Sequence, residues 1–308
     1  MKYKLGDICE EIREKILTSD LSEQEYISTD NMIVNRGGVI DAVSLPSYEL
    51  QEKRVILPCL FDELINYNDQ INKNLYKQIR TLSQAWFSNY SIFGGKCPKS
   101  WSNFYLSDIA DFINGYSYKG VELQSSNIAM ATIKNFNRNG GFKYESFKEV
   151  IPSNKVKAEH YINLYDVLVA HTDLTQKADV IGNAEIVLDY YKYDKIIYSM
   201  DLVKVVPKIS NLSPFLLSAI LSIPQFKAHC LGYISGTTVL HLSKKALPEF
   251  QLMLPADLSE LKKLDDIITP MYIQISVITK EIFQLRLLRD SLLPKLLSGE
   301  IDISKIKL

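Results

Sequence analysis

FYLSDIADFI, residues 104–113, repeats the plan of YKLGDICEEI, residues 3–12: aromatic-x-Leu-x-Asp-Ile, then an isoleucine four residues on. A second pair keeps nearly the same step. TDNMIVNRGGV (29–39) and TIKNFNRNGGF (132–142) each place Asn-Arg ahead of a Gly-Gly turn, Gly37-Gly38 and Gly140-Gly141. One segment therefore occurs twice, about 102 residues apart, and such self-similarity is read before any local propensity. A third pair keeps a different step. Leu45-Pro46 and Leu254-Pro255 each precede a long helical stretch, about 210 residues apart. The order is opening, helix, opening, helix, and the first copy reaches its Leu-Pro about 100 residues sooner than the second. The missing stretch falls between Val39 and Leu45.

The two helical stretches run to about Phe93 and from about Leu258 to Leu297. In the first, Leu64, Ile71, Leu75, Ile79, Leu82 and Trp86 recur at steps of seven, three and four. In the second, Met271, Ile275, Ile278, Ile282, Leu285, Leu288 and Leu292 recur at steps of three and four. Near-heptad spacing gives each helix one apolar stripe. Packing of the two stripes on each other is the favoured reading, and two ordinary amphipathic helices lying on a core is the other. Asn66, Asn68, Asn72, Lys73 and Asn74 are assigned to the polar face of the first, and Lys280, Glu281, Gln284 and Arg286 to that of the second. Pro58 and Pro270 are expected to kink or delay their helices. Gly94-Gly95 is expected to end the first, and Pro294 with Gly299 the second.

Between the helices, Asp166–Ala170, Ala184–Leu188 and Leu202–Val206 are rich in β-branched residues and bounded by turns, as strands are. Helical patches are expected at Leu106–Ile113 and Pro214–Leu221. The fold class is α+β: a truncated first domain (1–46), a central helix (47–95), a mixed α/β domain (96–255), and a distal helix with its tail (256–308).

Composition narrows the function. With 46% hydrophobic and 23% charged residues in 308, the chain reads as a water-soluble globular protein. No run reaches the ~18 apolar residues of a membrane span. The charged opening lacks the apolar core of a signal peptide, so a cytoplasmic location and no membrane partner are expected. Cys9, Cys59, Cys97 and Cys230 form no C-x-x-C pair, so neither a disulfide framework nor a zinc site is expected. The net charge is −1, but residues 97–250 hold 16 Lys+Arg against 14 Asp+Glu and all four histidines, a balance that permits a nucleic-acid face without demanding one.

No catalytic constellation stands out. A phosphate loop fails because Tyr90 stands where its first glycine belongs and Cys97 where Ser or Thr belongs. There is no G-x-S-x-G, no H-E-x-x-H and no Asn-Pro-Pro-aromatic motif, and His171 with Asp173 is no ligand set. Four loops carry the chemistry to touch nucleic acid. The first offers Tyr116, Tyr118 and Lys119: aromatics against sugar or base edges, a lysine to phosphate. In the second, Lys134, Asn135, Asn137 and Arg138 combine the amide that pairs with adenine and the guanidinium that pairs with guanine. The third, Ser235, Gly236, Thr237 and Thr238, presents small hydroxyls and free backbone. The fourth, His171, Thr172, Thr175, Gln176 and Lys177, follows a strand. Each is singly an ordinary solvated loop, and the duplication shifts the balance.

The closing stretch LRDSLLPKLLSGEIDIS (288–304) resembles the end of the distal conserved region of type I restriction–modification specificity (S) subunits. INYNDQINKNLYKQIRTLSQAWF (65–87) is similar to the central conserved helix of that family. SGTTVLHLSKKALPEFQLMLP (235–255) and GYSYKG (115–120) resemble the closing and an early loop of its target-recognition domains. The resemblance covers nearly the whole chain. It implies recognition domain, helix, recognition domain, helix, with antiparallel helices and each domain reading half of a split site in double-stranded DNA. It also implies no catalysis and no cofactor in this chain. S-adenosylmethionine would belong to partner methyltransferase (M) subunits, and ATP with Mg to restriction (R) subunits where these join. Leu64, Ile71, Leu75, Ile79 and Leu82 would then pack against Ile275, Ile278, Ile282, Leu285 and Leu292. A helix of roughly 38 residues reaches about 57 Å, enough to space two reading modules by a helical turn of DNA or more. One intact recognition domain reads half a site, which makes a homodimer, or assembly with M subunits, the expected remedy. The rival from another class is a coiled-coil scaffold or inhibitor that docks on M subunits without reading DNA; a second is a nuclease with an unrecognised site.

Overall fold

A computed structural model of the chain describes residues 48–138, 140–298 and 300, with side chains from residue 60 onward except 297. The expectations for residues 1–46, for Gly299 and for the tail beyond residue 300 lie outside the described residues. Two compact units divide the described residues: 72–280, and those that fall within 1–71 and 281–308. Helices α1 (Tyr48–Phe87) and α5 (Lys262–Leu297) contribute a segment to each.

The unit of residues 72–280 is mixed α/β. At its centre stands a four-stranded antiparallel sheet in the order β2 (Ala110–Asn114), β9 (Leu202–Pro207), β5 (Val167–Ala170), β7 (Ala184–Ile186). Strand β5 reads Val-Leu-Val-Ala without alternation because every one of its residues is buried. Helix α3 (Pro214–Leu221) covers β5, β7 and β9. Its start is capped by the Ser213 hydroxyl, which accepts from the Leu216 amide at 2.9 Å, and Pro214 fills the first helical position, where a missing N–H costs nothing. A second sheet joins β4 (Lys148–Glu149), β3 (Ile128–Ala131) and β8 (Lys195–Tyr198), with β3 and β8 parallel. A third joins β10 (Ile234–Ser235), β11 (Leu240–Leu242) and β6 (Thr172–Asp173). Strand β1 (Trp101–Tyr105) pairs over its whole length with β12 (Gln251–Pro255). Helix α4 (Pro224–Leu231) completes the unit.

The three strands read from the sequence and the helix at Pro214–Leu221 are present. The helix expected over Leu106–Ile113 is one turn only: α2 is Leu106–Ile109, and the chain then becomes β2. Asp108 starts the turn by accepting the Tyr105 amide at 2.8 Å, but five register pairs with β9 then claim residues 110–114 for the sheet. Local propensity loses to pairing there. Helix α1 ends at Phe87, not near Phe93. Ser88 and Asn89 both donate to the Gln84 carbonyl, and Tyr90 takes a left-handed φ of 54°, so the stop precedes Gly94-Gly95. An aromatic knot of Phe87, Tyr90, Phe93 and Trp101 fixes this exit, with ring centroids 5.3–6.2 Å from Trp101.

Pro58, Pro270 and Pro294 neither delay nor end their helices; α1 and α5 run through all three. Around Pro270, Ile268, Tyr272 and Ile275 are fully packed, and their burial offsets the one lost backbone bond. The Pro294 carbonyl still accepts the Ser298 amide at 2.9 Å.

Within residues 72–280, Tyr76 meets Tyr272 edge-on at 6.4 Å and Asn72 donates to the Thr279 hydroxyl at 3.3 Å. Within residues 1–71 and 281–308, Arg286 pairs with Asp69 at 3.7 Å and Arg289 with Asp62 at 2.5 Å. In each unit the number rises on α5 as it falls on α1, so the two segments are antiparallel. Ile79, Ile275, Ile278 and Ile282 are buried, and Leu75, Leu82, Leu285 and Leu292 are half-buried. Leu64 and Ile71 are corrections: they are 49% and 45% exposed. The inward heptad of α1 is Ile65, Asn72, Ile79: it shares Ile79 with the expected stripe but has Ile65 and Asn72 in place of Leu64 and Ile71. Asn72, assigned above to the polar face, is buried in it. Among the described residues, no helix is long and apolar enough to cross a membrane.

Candidate functional site

The register of the central sheet decides which loops meet. Asn114 pairs with Val203, Ala170 with Leu202, and Val169 with Ala184. The ends of β2 and β5 therefore share one edge of the sheet with the starts of β9 and β7. At that edge the Gly115 amide donates to the Leu202 carbonyl, the Tyr116 and Met200 amides bind the carbonyls of Tyr198 and Tyr116, and the His171 amide binds that of Asp201. The approach is close enough that a Cβ on Gly115 would lie 2.1 Å from the Ser199 carbonyl oxygen, which accounts for glycine at this position.

The fourth loop leaves the same edge. β6 pairs with β11, Leu240 opposite Asp173 and His241 opposite Thr172, and β11 turns back onto β10. The tip of that hairpin is the Ser235–Thr238 loop, and the Gln176 side-chain amide donates to the Thr237 carbonyl. The second loop is tied in from the other side, where the Asn183 amide group donates to the Asn137 carbonyl at 3.2 Å. An open cleft of about 390 Å³ lies between, lined by Lys134, Arg138, Lys143, Leu174, Thr175 and Asp179 among others. Segments near residues 137, 175 and 237 thus form one surface.

The expected contact residues divide by burial. Lys119, Lys134, Arg138, Gln176, Lys177, Ser235, Gly236, Thr237 and Thr238 are exposed, and Tyr118, Asn137, His171 and Thr175 are half-buried. Tyr116, Asn135 and Thr172 are buried and have internal work. The Tyr116 hydroxyl lies 3.0 Å from the Glu122 carboxylate and 2.8 Å from Ser153. Asn135 accepts the Thr132 amide and donates to the Lys143 carbonyl, shaping the turn that presents Lys134. Thr172 donates to Asp201 at 3.1 Å. Only the root of the first loop joins the others by these bonds. Tyr118 leans on a separate small cluster with Met130, Val150 and Ile197, under the Lys148 ammonium 5.9 Å from its ring.

Three positions that the sequence reading did not select hold the surface in shape. Asp173 is buried, and its carboxylate accepts from the amides of Thr175, Val180 and Ile181 and from the Thr175 hydroxyl, at 2.7–3.2 Å. Burial pushes this carboxyl up, but those donors more than offset it and hold it below the ordinary aspartate range. Lys227 reaches under the loop after Thr175, donating to the carbonyls of Ala178, Asp179 and Ile181 and to the Asn183 side chain. Burial pushes its ammonium down. Asp201 receives Thr172 and Ser199. Their partners stand up to 49 residues away, so no local motif marks them. Burial, with His241 and Lys244 nearby, holds the His171 imidazole below its usual value, so it is neutral at pH 7. Arg138 is 71% exposed and pairs with Asp179 at 3.5 Å. The exposed cations leave the surface basic, suited to a polyanion, with amide and hydroxyl groups between them. Among the described residues no three His, Cys, Asp or Glu side chains gather as a metal site.

The family model described as "Type I restriction modification DNA specificity domain" matches residues 98–286. The Type I restriction enzyme MjaIX specificity subunit of Methanocaldococcus jannaschii is 22% identical over 287 residues, 88% of this chain and 63% of that protein. The chain thus spans less than two thirds of the curated relative it matches. The crystal structure of the Type-I restriction-modification system S subunit from M. genitalium superposes with a TM-score of 0.54 at 14% identity, over 84% of this chain and 63% of that one. The HsdS subunit from Thermoanaerobacter tengcongensis gives a TM-score of 0.40 at 15% identity, over 89% and 66%.

Proposed function

The chain belongs to the family of type I restriction modification DNA specificity domains, and from that membership we propose that residues 96–255 read the bases of one half of a split site in duplex DNA. One observation carries the reading: Gln176 bonds the fourth loop to the third, and Asn137 and Arg138 of the second reach Asn183 and Asp179 in the segment that follows the fourth, so that residues far apart in sequence form one cation- and amide-bearing surface. Lys134 and Lys177 suit phosphate. Asn137, Arg138 and Gln176 suit base edges, the guanidinium for guanine and the amides for adenine. Tyr118 and Lys119 belong to the first loop, whose root alone is bonded to that edge of the sheet.

The same reading gives α1 and α5 a partner. Leu60, Leu64, Tyr67 and Ile71 are exposed at alternating steps of four and three along α1, which suits docking of a methyltransferase subunit. That subunit would carry S-adenosylmethionine, and restriction subunits, where present, ATP and Mg. This chain holds no catalytic role in the scheme. The second half-site would be read by a second copy of the chain, as a homodimer.

The test is DNA affinity of the full chain, with and without the methyltransferase subunit, as a function of salt. Binding should weaken steeply as salt rises, and Lys134→Ala should reduce the slope of log K against log salt by about 1. Affinity that stays negligible and flat at every salt concentration would leave the scaffold reading, in which the helices dock on a methyltransferase and no DNA is read.

A further inference from the structure

The repeated Gly-Gly motif has a structural purpose that the reading surface alone does not explain. Gly140 and Gly141 both take positive φ, 84° and 96°. The turn closes on itself through Gly140 amide to Asn137 carbonyl and Asn137 amide to Gly141 carbonyl, each 3.0 Å. Freedom at φ explains glycine, but position 140 has a second reason. A Cβ there would stand 1.7 Å from Nη2 of Arg80, so the guanidinium of an α1 arginine occupies the space that a side chain on the turn would need. Behind the turn lies Glu185 of β7, its side chain 6% exposed. It accepts the Gly141 amide at 2.6 Å and stands 4.0 Å from the same Arg80 nitrogen. A buried carboxylate is costly unless paired, and both of its partners, the helix arginine and the turn amide, belong to this one junction.

We propose that Arg80 and Glu185 are positioning residues for recognition: together they clamp the Gly140-Gly141 turn to helix α1 and so set where Lys134, Asn137 and Arg138 stand. The clamp rests on the reading that this surface meets DNA. It makes the long helix part of the reading head, since the side chain that seats the turn comes from the helix and not from the loop. Glu185 is also a proton-sensitive member. Burial pushes its carboxyl up to about 7, while the Gly141 amide and Arg80 pull it down. The other groups facing it are Tyr76 from α1, Tyr144 from the loop and Tyr272 from α5. Each tyrosine is held above its ordinary range by burial and stays neutral near pH 7. Asp189, beyond β7, is pushed up by burial and faces Lys280.

The experiment uses the full chain and Arg80→Met, Arg80→Lys and Glu185→Gln, each first shown to be folded by its melting curve. Two quantities are read: amide hydrogen exchange over residues 134–143, corrected for intrinsic rates, and enrichment of sequences from a randomised duplex pool. At pH 8, Arg80→Met should raise exchange in that segment at least tenfold and flatten sequence enrichment at least tenfold. It should change total affinity for the unselected pool less than threefold, and Arg80→Lys should recover part of both losses. Exchange in the parent chain should rise as pH falls through 7, and Glu185→Gln should abolish that rise. Unchanged exchange in both Arg80→Met and Glu185→Gln overturns the clamp. Faster exchange in a chain whose parent enriches no sequence leaves the clamp standing and overturns the reading surface.

Discussion

Asp173 shows how much of this surface depends on single buried groups. One carboxylate satisfies four donors, three of them backbone amides, and its bonds to Val180 and Ile181 are buried. Asp173→Asn keeps the shape but replaces one acceptor oxygen with a donor facing an N–H. Loss of about 1–3 kcal/mol is expected in chemical denaturation, with the damage localised by hydrogen exchange at Val180 and Ile181. The pH dependence has a definite sign. The folded carboxyl lies below its unfolded value, so its contribution is complete above the unfolded value near 3.9. It is lost as pH falls through the folded one. Glu185 acts oppositely. Its folded carboxyl is raised to about 7, so the folded state holds the extra proton between about 4.3 and 7, and stability falls as pH rises across that window. Melting curves from pH 5 to 8 should show a decline that Glu185→Gln removes. Gly115→Ala should cost about 2 kcal/mol or more, read in the same denaturation assay, because the methyl meets a backbone oxygen that cannot turn aside. At this scale the sequence is legible by type and not by role. Lys134 and Arg138 can be read as surface cations because long charged side chains are seldom buried. Asn135 and Asn137 have identical side chains, yet Asn135 is buried as a turn brace, held by the Thr132 amide and by the Lys143 carbonyl eight residues on.

Element by element, what can be read is periodicity, and what cannot is phase. On α5 Ile275, Ile278 and Ile282 of the expected stripe are buried, while Leu288 is 46% exposed. On α1 the inward heptad contains Asn72, and a polar residue at its centre hides it from any hydrophobicity pattern. The Asn72 amide nitrogen reaches Thr279, but its buried side-chain oxygen meets no hydrogen-bond partner among the described residues. Such a group at a core heptad position sacrifices stability for a particular axial alignment. Asn72→Ile should therefore raise the melting temperature, by the few degrees that about 1–2 kcal/mol corresponds to. Spin labels on the exposed faces of the two helices should show a broader distance distribution. A lower melting temperature would mean that Asn72 contributes net stability. Strand β2 is the other misjudged element, and its cause is the same in kind: residues 110–114 take the conformation of their neighbour β9, which lies some 90 residues away.

For the molecule as a whole, the helix ends are part of the domain core. Ile79 and Phe87 from α1, and Leu264, Ile268, Tyr272 and Ile275 from α5, lie in the same buried cluster as the strands. A fragment of residues 96–255 discards all six, whereas residues 72–280 keep them. The longer fragment is expected to melt cooperatively, and the shorter one to lose several kcal/mol and bind hydrophobic dye, as circular dichroism and dye fluorescence would show. Architecture at this scale was legible through internal repeats, which survive where single-residue patterns mislead. The dependence of the module on both helices was not, since it needs contacts between residues nearly 200 apart.

The pairing of β1 with β12 has a further bearing. Trp101 faces Pro255 and Tyr105 faces Gln251, so the chain enters and leaves the module through adjacent strands, five residue pairs deep. Some 150 residues lie between these two strands, which form one doorway for the chain beside the packing of both helix ends on the core. The distance across that doorway is fixed by two strands and is indifferent to the length of chain beyond it. A change in the length of a loop inside the module therefore leaves in place the points where the chain enters and leaves it.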